Sequence, residues 1–135
     1  MATNGANRNP KGDLEDFRSY EAGAFWKQYS ENLPTEYKDN YLLIPMDNRT
    51  VADFEDDTSY RYDGNDGGMS WSTPWLAGMY VLAKQVDADI TPEKFWKYAL
   101  ETSDECRNND SGVYVGRIIN PQDLIKKIQE NISNP

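Results

Sequence analysis

The chain has 135 residues, the length of one ordinary domain. Its 23 acidic side chains outnumber 14 basic ones, giving a net charge of -9. That argues against a nucleic-acid partner, which is normally met by a basic face, and no apolar run approaches the ~18–20 residues that span a membrane.

The first 22 residues are polar and rich in Asn, Gly, Asp and Arg. They read as a flexible lead-in, loop or disordered. They lack a basic stretch followed by an apolar one, so they do not read as a signal peptide, and the compartment stays open. Phe25, Trp26 and Tyr29 have the spacing of one or two helical turns, ended by Pro34. Tyr41-Leu42-Leu43-Ile44, before Pro45, is a compact apolar run that predicts a buried strand, and Thr50-Val51-Ala52 continues the extended chain. Asp53, Glu55, Asp56 and Asp57 form an acidic turn. Their spacing is not that of a calcium-binding loop, so a solvated turn is the reading. Tyr60-Arg61-Tyr62 predicts a second strand, and residues 63–68, with three glycines, a tight loop.

The most helix-like segment follows. Pro74 suits a first turn, where its missing N–H costs nothing, and Leu76, Ala77, Tyr80, Val81 and Ala83 carry helical spacing to about Val86. Gly78 within it costs ~1 kcal/mol against Ala unless something packs closely there. Thr91-Pro92-Glu93 marks another helix start, with Thr91 as N-cap and an apolar face of Phe95, Trp96, Ala99 and Leu100. Residues 102–112 read as a polar loop and 113–119 as a strand. Asn120-Pro121-Gln122-Asp123 opens a last helix that turns Leu124, Ile125 and Ile128 inward. Helices following extended segments favour an α/β class. Apolar residues make up 38% of the chain, below the usual ~45–50%, which fits a modest core or a portion of a larger fold.

Two absences bound the chemistry. The chain has no histidine and one cysteine, Cys106. A histidine zinc site, a histidine-dependent triad made by this chain alone and an intrachain disulfide are therefore excluded, and Cys106 reads as a plain or partly buried thiol. No cofactor or metal is expected.

The informative string is Gly67-Gly68-Met69-Ser70-Trp71-Ser72-Thr73-Pro74-Trp75-Leu76-Ala77-Gly78. A glycine loop delivers a serine to a helix start. Loop glycines let a substrate backbone approach closely, and the free N–H groups and partial positive charge of a helix N-terminus favour an oxyanion beside the serine. On chemistry alone, the favoured reading is that Ser70, Ser72 or Thr73 simply caps the helix, because N-cap serines are very common.

The same string resembles the serine motif of the subtilase family, Gly-Thr-Ser-Met-Ala-Thr/Ser-Pro-His-Val-Ala-Gly. Gly68, Ser70, Thr73, Pro74, Ala77 and Gly78 match it, and Leu76 is a conservative change. Met69 replaces the usual Thr, Trp71 the Met and Trp75 the His, as in a divergent branch. The resemblance covers about residues 40–130: an extended segment ending at Pro45, the serine helix, a Thr-Pro helix start, a glycine-bearing strand and a closing helix. It implies the carboxyl-terminal part of a subtilase-like three-layer α/β sandwich with a parallel sheet, a single partial domain over 1–135. It also implies that Ser70 is the nucleophile. Met1-Ala2-Thr3-Asn4-Gly5-Ala6 is similar to the family's oxyanion turn, which assigns the oxyanion amide to Asn4, 66 residues ahead of Ser70.

The family's aspartate and His-Gly-Thr-His motifs are missing. The resemblance therefore implies a segment of a serine endopeptidase, whether a truncated gene product or one half of a split enzyme, acting on a peptide or protein through an acyl-enzyme on Ser70. An amino-terminal subtilase half would be its partner, and the chain alone is expected to be inactive. A Ser–Lys pair would have to use Lys84, on the serine's own helix. The alternative reading is a non-catalytic, subtilase-derived protein-interaction module.

Overall fold

A computed structural model describes residues 2–8, 20–22, 30–46, 49–63, 69–108 and 110–133. In chain order its elements are β1 (Ala2–Arg8), β2 (Tyr20–Ala22), α1 (Thr35–Lys38), β3 (Tyr41–Pro45), β4 (Arg49–Ala52), β5 (Tyr60–Asp63), α2 (Met69–Val86), α3 (Pro92–Glu101), β6 (Asp104–Arg107), β7 (Tyr114–Ile118) and α4 (Pro121–Ser133). The class is mixed α/β. One five-stranded sheet has the order β2-β1-β3-β7-β6, and β4 and β5 form a separate antiparallel hairpin. The three central strands run parallel, and β2 and β6 are antiparallel edges.

The apolar run at 41–45 forms the middle strand because both its faces are covered, the condition under which strands read as continuous apolar stretches. Leu42, Leu43 and Ile44 are fully buried. Leu42 and Ile44 pack with Met79, Ala83, Ile90, Phe95, Tyr98, Ala99, Leu124 and Ile128, under α2, α3 and α4. Leu43 points the other way, as strand alternation requires, and joins Cys106, Val115 and Ile118, with Leu33 and Tyr41 alongside. Near this second face the buried Lys38 ammonium donates to the carbonyls of Tyr114, at 2.9 Å, and Glu31, at 3.4 Å. These bonds tie α1 to β7.

Three expectations are corrected. The lead-in is not wholly loop: Ala2–Arg8 pairs in parallel with β3 from Ala2↔Tyr41 to Ala6↔Pro45, and Tyr20–Ala22 pairs with its other edge. Backbone pairing does not require apolar side chains, so a polar composition did not reveal it. The segment 102–112 contains β6, whose four residues include one buried side chain, Cys106. Its pairing with β7 shifts register between Cys106 and Arg107, opposite Gly116, which takes a positive φ of 142°. Such irregularities commonly recruit glycine. Finally, α2 starts at Met69, so Pro74 is its sixth residue and not part of its first turn. The expected helical cluster Phe25, Trp26 and Tyr29 and most of the 63–68 loop lie outside the described residues.

Candidate functional site

α2 positions Ser70. The helix is almost free of charge, with Lys84 its one ionisable side chain apart from Tyr80. Ser72, Met79 and Ala83 are buried along one line of the helix, against the sheet and its neighbours. At 3.6 residues per turn, Ser70 falls on the opposite line with Ala77 and Val81, and all three are exposed. The nucleophile candidate therefore stands on the outward face while its helix is anchored by the inward one.

Ser70 lies inside the first turn, where backbone N–H groups have no intrahelical acceptor. Ser72 and Thr73 sit deeper still. Pro74 adds a local effect: with no N–H of its own, it leaves the Ser70 carbonyl without the usual donor four residues on. The helix start thus offers N–H groups suited to a developing anion, beside a serine that faces outward.

Among the described residues, no lysine or carboxylate bonds to the Ser70 hydroxyl. Lys84 is fourteen residues further along the same helix, about 21 Å at 1.5 Å per residue. Its ammonium donates to the Ala88 carbonyl at 2.8 Å and lies 5.8 Å from the centre of the Tyr80 ring. A Ser70–Lys84 pair is therefore ruled out.

Asn4 lies in the middle of β1, opposite Leu43 of β3 in the parallel register. Its segment is paired strand, not the turn expected from the sequence. α2 packs near both β1 and β3, so the strand carrying Asn4 and the helix carrying Ser70 are neighbours.

Just beyond Ser70, one turn along α2, an apolar groove of about 400 Å3 runs between α2 and α3, lined by Thr73, Leu76, Ala77 and Tyr80 on one side and Pro92, Phe95 and Trp96 on the other. Tyr80 and Phe95 meet edge to face at 5.2 Å, and the Tyr80 hydroxyl donates to the Ile90 carbonyl at 3.0 Å. The inward face read from the sequence holds Phe95, which is buried, and Trp96, which is partly buried against the same core; Tyr98 is the aromatic it missed.

Elsewhere the polar clusters hold the fold together. Glu31 accepts from Asn108 and Ser111. Tyr114 donates to Asp39 at 2.5 Å, and partial burial together with that carboxylate pushes the phenol well above its ordinary range. Cys106 is buried, as a structural thiol is. Among the described residues no group of three or more His, Cys, Asp or Glu side chains is placed to hold a metal ion, and no helix is long and apolar enough to cross a membrane. No protein-family model matches the chain, and neither a curated protein nor a solved structure matches it significantly, so any family reading rests on the residues themselves.

Proposed function

We propose that the chain is the serine-bearing carboxyl-terminal part of a subtilisin-like serine endopeptidase domain, a three-layer sandwich in its complete form. The observation that carries this reading is the string from Gly67 to Gly78, with Ser70 exposed in the first turn of an 18-residue helix whose start follows a glycine-rich stretch of sequence. The parallel pairing of the Asn4 strand with β3 beside that helix supports it further.

In the complete domain, the Ser70 hydroxyl oxygen attacks the scissile carbonyl carbon while a histidine from the remaining part of the domain takes its proton. The oxyanion is held by N–H groups at the start of α2 and by the Asn4 amide. Collapse of the tetrahedral intermediate expels the amine, which takes the proton from the histidine, and water then hydrolyses the acyl-enzyme. An aspartate, also from the remaining part, orients the histidine. Without histidine the chain alone does not perform this sequence.

The test uses a fluorophosphonate probe on the chain and on Ser70→Ala, each alone and joined to a subtilase segment bearing the Asp and His-Gly-Thr-His motifs. The expected result is labelling at Ser70 in the joined form only. A folded joined form that stays unlabelled at Ser70 overturns the assignment, and labelling of the chain alone far above free serine overturns its inactivity.

The alternative, an interaction module, draws on the β4–β5 hairpin. Phe54 and Tyr60 are 79% and 74% exposed there, beside an acidic loop. Coding sequence directly upstream discriminates the two: in-frame Asp and His motifs support the protease, and a start codon preceded by unrelated sequence supports the module.

A further inference from the structure

We draw no further inference here: the strongest candidate, the apolar groove between α2 and α3 lined by Leu76, Ala77, Tyr80, Phe95 and Trp96, is an unpartnered face, and nothing in the structure shows what covers it.

Discussion

Two residues carry measurable consequences of their surroundings. Gly78 sits in the interior of α2, and a Cβ built on it would meet nothing within 4 Å. Among the described residues, therefore, no close packing offsets the entropic cost of this helical glycine. Gly78→Ala is expected to raise stability by about 1 kcal/mol in urea unfolding; a loss of stability would mean that something does approach that face. Asp56 is the second case. Its carboxylate accepts from the Ser59 hydroxyl, from the Thr58 N–H at 2.7 Å, from the Thr58 hydroxyl at 2.9 Å and from the Ser59 N–H at 2.7 Å. These bonds, the Ser59 hydroxyl foremost, lower its pKa from 3.8 to about 2. A depressed carboxylate pKa stabilises the folded loop above the ordinary value, and that contribution is lost as pH falls from about 4 through 2. An NMR titration of the Asp56 carboxyl should show a midpoint near 2, moving back toward 3.8 in Ser59→Ala.

At the level of elements, α3 is the best-specified helix. Thr91 accepts from the Lys94 N–H at 3.2 Å, and Pro92 fills the first position. Thr91→Ala should cost about 1 kcal/mol, whereas Thr91→Ser, which keeps the acceptor, should cost little; equal losses in the two variants would show that the bond is not what matters. This start was legible in the sequence because cap and proline are local signals. So was β3, whose apolar run needs no partner to be recognised, and so was the inward face of α4. The strands β1 and β6 were not legible, since what makes them strands is backbone pairing with β3 and β7 and not their own side-chain pattern. The early start of α2 was hidden for a related reason. Met69 to Thr73 has mixed helix propensity, but Ser72 is buried against the rest of the fold, so tertiary packing extends the helix past the proline that seemed to begin it. The position of Ser70 could be read from its string; its outward orientation could not, because that depends on where the helix begins.

For the molecule as a whole, the central strand β3 is covered on both faces of the sheet. Leu43 is the test of the second face, being fully buried with Cys106, Val115 and Ile118. Leu43→Ala should cost about 2–5 kcal/mol, a large part of the ~5–15 kcal/mol by which domains of this kind are stable. A denaturant midpoint unchanged in this variant would mean that the second face is not packed. The central register has a further consequence, for the order in which the molecule assembles. Leu42 pairs with Arg117 and Leu43 with Ile118, so β3 gains that neighbour only across an interval of 75 residues. The hairpin and the helices are local and form quickly; this pairing must meet its loop-closure entropy first, so it is expected to form later than they do. On a ribosome adding roughly 5–20 residues each second, the open backbone edge of β3 waits several seconds for the strand that pairs with it, a window in which an unpaired strand edge is open to aggregation.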